Sequence, residues 1–133
     1  MKINLKTKSK YSNELKQILA QKNVLYKYPN KEGDKKGFIK ERCVLSPDEK
    51  KEGVPYWDVI DLIVFPNEPK EMQENMRIGY YRKPKDRLVW GSQTTITEPL
   101  GVWKKLLIKA ANEKIWFREL LEEVIDDVKK KKK

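Results

Sequence analysis

The chain has 133 residues, 38% of them charged and 38% hydrophobic, with a formal net charge of +10, half of it on the terminal run Lys129–Lys133. That is one domain's worth of chain, enough for a single modest core, and no apolar run approaches the length of a membrane span or resembles a signal peptide. Histidine is absent, which removes the usual general base, the usual zinc ligand and the Ser-His and Cys-His nucleophilic pairs. The single Cys43 excludes an internal disulfide and fits a reducing cytoplasm. Positive charge favours polyanionic partners, although terminal lysines also keep a protein soluble. A Lys-rich, His-free composition also fits a thermophilic source.

In chain order, Ile3 and Leu5 alternate with polar residues as a short first strand. A helical period follows through Tyr11, Leu15, Ile18, Leu19 and Lys22, with Ser9 or Ser12 as N-cap. Val24–Tyr28 reads as a strand, Pro29–Gly37 as a polar turn, and Phe38–Leu45 as a second strand before the loop Ser46–Pro55. Tyr56–Phe65 is apolar on both parities, as a central strand covered on both sides must be. Asn67–Asn75 is a polar connection with room for a helical turn, and Arg77–Thr95 reads as a hairpin. Thr97 caps a helix with Pro99 in its first turn and a stripe of Leu100, Trp103, Leu107 and Ala110. Asn112 kinks or breaks it, and Phe117, Leu120, Leu121, Val124, Ile125 and Val128 form a second stripe.

The expected fold is one α+β domain over residues 1–128, followed by a flexible basic tail, 129–133. Its antiparallel sheet has four to five strands, with an N-terminal helix and one kinked or two C-terminal helices covering one face.

The hairpin carries the sharpest functional signal. An odd turn, Pro84–Asp86, groups Ile78, Tyr80, Leu88, Trp90 and Ile96 on one face, and burial of one apolar face selects that register. Arg77, Gly79, Tyr81, Lys83, Arg87, Val89, Gly91 and Gln93 then share the open face. Strict alternation in the preceding strand turns Ile39, Cys43 and Leu45 one way and Phe38, Lys40 and Arg42 the other. Aromatic rings stack bases without reading sequence, while Lys and Arg hold phosphates. The expected nucleic-acid-binding residues are therefore Phe38 and Tyr81 for bases, with Lys40, Arg42, Arg77, Arg82, Lys83 and Arg87 for phosphates. A solvated outer face with incidental aromatics is the plain alternative.

Catalytic signals are sparse. Asp58 and Asp61, three apart on a strand, point to opposite faces. Asp58 and Glu41 are the remaining pair for a divalent metal, and Gly33, Gly37 and Gly53 lack phosphate-loop spacing.

The run RIGYYRKPKDRLVWGSQTTITEPLGVWKKLL resembles the end of the positive-cofactor-four family of single-stranded-DNA-binding proteins. The matching residues are Tyr80, Tyr81 and Arg82, the turn Lys83–Asp86, Gly91, Thr97, and Trp103 with Leu106. The resemblance implies a four-stranded sheet, a dimer joined through helices, and single strands across the sheets. It covers about a quarter of the chain, departs at GSQTT, and leaves Ile115–Val128 as an added helix. An aromatic cleft flanked by cations is also similar in outline to the thermophile single-strand-binding protein ThermoDBP. The expectation is a cytoplasmic, non-catalytic single-stranded nucleic-acid-binding protein, DNA or RNA, forming a homodimer, with no cofactor, metal or membrane partner. The rivals are a protein–protein interaction module dimerising through its last helix, and a metal-dependent hydrolase or nuclease.

Overall fold

The computed structural model describes residues 11–26, 35–91 and 97–131. Helix α1 (Ser12–Ala20) precedes strands β1 (Asn23–Tyr26) and β2 (Lys35–Leu45), and the short helix α2 (Pro47–Lys50) leads to β3 (Trp57–Val64). A 3₁₀ turn at Lys70–Met72 leads to β4 (Glu74–Arg82) and β5 (Val89–Trp90), and helices α3 (Leu100–Glu113) and α4 (Ile115–Lys131) follow. The strands form one antiparallel sheet in the order β1-β2-β3-β4-β5, an α+β fold. The expected strand at Ile3–Leu5, the cap at Ser9, most of the Pro29–Gly37 turn, and Gln93 with Ile96 lie outside the described residues.

β3 is central, and Trp57 through Ile63 are all buried, as its apolar residues on both parities require. Helices cover both of its faces rather than the one expected. On one face Ile18 of α1 packs with Val44, Trp57 and Val59, flanked by the partly buried Tyr11, Leu15, Tyr81 and Trp90. On the other, Cys43, Leu45 and Ile60 meet Val102, Leu106 and Ala110 of α3 and Phe117 of α4.

Two register details overturn the expected grouping of side chains. Ile39 pairs with Ile63 but Glu41 pairs with Leu62, so Lys40 is an extra, bulged residue. Arg42, opposite Asp61, therefore shares the α1 face with Ile39, while Phe38, Glu41, Cys43 and Leu45 face the other side. In the hairpin Tyr81 pairs with Trp90 and Arg82 with Val89, which leaves a six-residue, even connection, Lys83–Leu88. Trp90 thus joins Tyr81 on the α1 face, and Tyr80 points to the opposite one. The odd turn was selected by burying a single apolar face, and here both faces are buried. A side chain at Gly79 would overlap the Trp90 ring, and one at Gly91 would overlap the Tyr80 ring. The two glycines seat the hairpin's own aromatics, not an incoming ring.

The helix ends also shift. Pro99, not Thr97, is the N-cap of α3, and Leu100 is 86% exposed while Val102 and Leu106 take the core positions. The break falls at Lys114, two residues after Asn112. α4 continues through Lys131, so Lys129, Lys130 and Lys131 are helical rather than part of a flexible tail. Within the expected loop, α2 is opened by Ser46, whose backbone N–H donates to Glu49 Oε2 at 3.0 Å.

Candidate functional site

The predicted binding residues separate into several environments. Arg42 and Arg77 flank Asp61 from the strands on either side of β3, and all three project beneath α1. Arg42 Nε and Nη2 donate to the two Asp61 oxygens at 2.6 and 2.9 Å, and Arg77 Nε and Nη2 donate to Oδ2 at 3.2 and 3.0 Å. Arg42 Nη1 donates to the Ile18 carbonyl and to Tyr81 Oη, both at 2.9 Å. Burial opposes the Arg42 charge, but the hydrogen bonds and charge of Asp61 outweigh it and hold the guanidinium above its ordinary pKa. The Arg77 guanidinium lies 4.3 Å from the Trp90 ring centre. Arg42, Arg77 and Tyr81 are brought together as expected, but as an internal network 7% exposed at Arg42 and closed at Asp61.

The remaining predicted residues lie elsewhere. Phe38 is exposed on the opposite face, and Lys40 lies 3.6 Å from Glu74. Lys83 donates to Glu14 at 2.7 Å, and that hydrogen bond is the leading cause of a lowered Glu14 pKa. Arg87 is exposed in the hairpin connection, and Arg82 is half-buried at the end of β4.

A second buried cluster occupies the α3 side. Lys50, 1% exposed, is hydrogen-bonded to Glu98, lies 3.1 Å from Asp58 Oδ2, and donates to the Val54 carbonyl at 2.9 Å. The Val54 N–H donates to Glu98 Oε1 at 3.2 Å, so the cluster ties α2, the following loop and the approach to α3. Neither Asp58 oxygen meets hydrogen-bond geometry with another group, despite the nearby amine. Burial, with the adjacent Glu98 carboxyl, pushes Asp58 up to about 7. Burial also pushes Glu98 up, but Asp58 and Lys50 outweigh it and hold Glu98 below its ordinary value.

Asp58 and Asp61 do face opposite ways, as their spacing requires. Glu41 lies opposite Leu62, four residues along β3 from Asp58 and roughly 13 Å away at strand rise. Among the described residues no group of three or more Cys, Asp or Glu side chains converges as metal ligands. Burial drives the Cys43 thiol up to about 12, so it packs as a small hydrophobe.

Aromatics and unpaired cations do meet where β3 begins and β4 ends. A cleft of about 470 Å³ there is lined by Tyr11, Tyr56 and Trp57, by Arg82, Lys83 and Lys85, and by Pro55, Pro84, Glu14 and Asp86. Tyr56 stacks on Tyr80 with ring centres 5.0 Å apart and planes 12° from parallel. Tyr11 meets Trp57 edge-on at 5.3 Å. Among the described residues Arg82 and Lys85 have no carboxylate partner, whereas Lys83 is held by Glu14. Tyr11, Tyr56 and Lys85 were not legible as site residues, because three distant segments converge to make the cleft.

A groove of about 380 Å³ separates α4 from the far end of the sheet. Leu62, Met76, Trp116 and Leu120 supply its apolar lining, and Glu41, Glu74, Glu119 and Glu123 make it acidic. Among the described residues no helix is long and apolar enough to cross a membrane. Comparison with protein-family models, with curated proteins and with solved structures finds no match.

Proposed function

We propose that the chain binds single-stranded nucleic acid at the cleft between the start of β3 and the end of β4. The observation that carries this reading is the meeting there of a half-buried stacked ring, Tyr56, with two uncompensated cations, Arg82 and Lys85. A base laid on the outer side of Tyr56 extends a two-ring stack to three, and every base offers a π-face, so stacking is sequence-tolerant. Arg82 and Lys85 hold the neighbouring phosphates, which makes binding salt-dependent. Of the residues expected from sequence, Arg82 and Lys83 belong to this cleft, whereas Arg42, Arg77 and Tyr81 support it from beneath α1. The net charge of +10 favours the same polyanionic class of partner.

Anisotropy titration of a labelled oligothymidylate tests it. Tyr56→Ala is expected to weaken binding by about 1–3 kcal/mol, the range for one stacked base. Arg82→Glu is expected to lower the dependence of affinity on salt. Unchanged affinity and salt dependence in both variants, with folding intact, overturns the assignment.

A further inference from the structure

The second half of α4 is an apolar surface with no cover in the domain. Phe117 and Leu121 share a helix face with Val124 and Val128, since steps of four, three and four residues return to nearly the same direction. Phe117 is buried and Leu121 packs against the core, but Val124 is 50% exposed and Val128 52%. Leu120 and Ile125, on either side of this line, are 37% and 53% exposed. The core-facing stripe runs past the body it packs on.

Charge along the same helix is divided. Glu122, Glu123, Asp126 and Asp127 occupy its middle turns, and Lys129, Lys130 and Lys131 its last turn. The lysines complement the helix C-terminus, but the division also dictates how two such helices can meet. Side by side in the same direction, they set acid against acid and lysine against lysine. In opposite directions, with Val124 against Val128 of a second copy, Lys129 lies level with Glu123 and Lys130 with Glu122. Each contact then occurs twice, as a two-fold interface requires.

We infer that a second copy of this chain covers the outer half of α4 by antiparallel packing of the two helices. Complementary charge fixes the direction and register, and Val124, Val128 and their neighbours supply the burial. The acidic groove beside Leu120 adjoins this surface, so it does not offer nucleic acid a competing site.

Sedimentation equilibrium across the micromolar range tests the inference, with circular dichroism to confirm folding. The wild-type chain is expected to dimerise, and Val124→Asp with Val128→Asp to give a folded monomer, because neither side chain is in the core. The pair Glu122→Lys and Glu123→Lys is expected to weaken the dimer, as is the pair Lys129→Glu and Lys130→Glu. Combining all four changes in one chain restores the dimer. A wild-type monomer at high micromolar concentration overturns the inference. So does a dimer that the valine substitutions leave intact, or charge variants that the combined chain does not rescue.

Discussion

β3 buries two aspartates three residues apart, both fully inaccessible, and the two faces of the sheet treat them in opposite ways. Asp61 faces two guanidiniums that between them reach both of its oxygens. Asp58 shares a single amine with Glu98, and neither of its oxygens is satisfied by a hydrogen bond. On the α1 face the surplus charge is positive and the carboxylate remains ionised. On the α3 face the surplus is negative, and retention of a proton on Asp58 up to about pH 7 removes it. Burial is equal at the two sites, so the count and geometry of the partners decide the charge state.

The largest disruption comes from removing a partner of Asp61. Arg42→Ala leaves a buried carboxylate with one guanidinium and strips a donor from Tyr81 and from the end of α1. Chemical denaturation is expected to show a loss of about 3–5 kcal/mol, the range for breaking a buried ion pair. Tyr81→Phe is gentler, since it removes only the hydroxyl that accepts from Arg42. Its expected cost is about 1.5–3 kcal/mol, appropriate to a hydrogen bond to a charged group, measured by the same method.

Asp58→Asn sharpens the contrast, because it replaces a carboxyl that already carries a proton. The folded Asp58 releases its proton near 7, whereas an ordinary aspartate releases it near 3.8. The stability this contributes is complete below 3.8 and is lost as pH rises through 7. Glu98, held below its ordinary value, works in the opposite direction only in more acidic solution. Thermal melts of the wild type are therefore expected to shift down between about pH 5 and pH 8, in the window those two values bound. The Asn variant should differ little at the acidic end and show a flatter profile. A wild-type midpoint that rises through this window would mean that Asp58 is ionised.

Much of this architecture follows from local pattern. The uninterrupted apolar run of β3 marks the central strand, the helical stripes mark α1, α3 and α4, and the three-residue spacing separates Asp58 from Asp61. The capping pair Ser46 and Glu49 was a readable helix start inside the expected loop. What local pattern cannot supply is the register between strands. The bulge at Lys40 turns Arg42 beneath α1, and the even hairpin connection turns Trp90 with it. Both depend on a helix distant in sequence covering the second face. An aspartate in the middle of an apolar strand does announce a buried partner, but only register shows that Arg42 and Arg77 flank Asp61. For the same reason the cations expected on an open sheet became internal supports, and the cleft drew on Tyr11, Tyr56 and Lys85.

Nuclear magnetic resonance titration of the isotopically labelled chain with a short single-stranded oligonucleotide tests the proposed interface most directly. The expected result is a set of shifts confined to residues 55–57 and 82–86 and to Tyr11, weakening as salt is raised, with the Arg42 and Arg77 Nε–H signals unmoved. Shifts confined to the lysines at the end of α4, or no shifts at low salt, would contradict binding at the cleft.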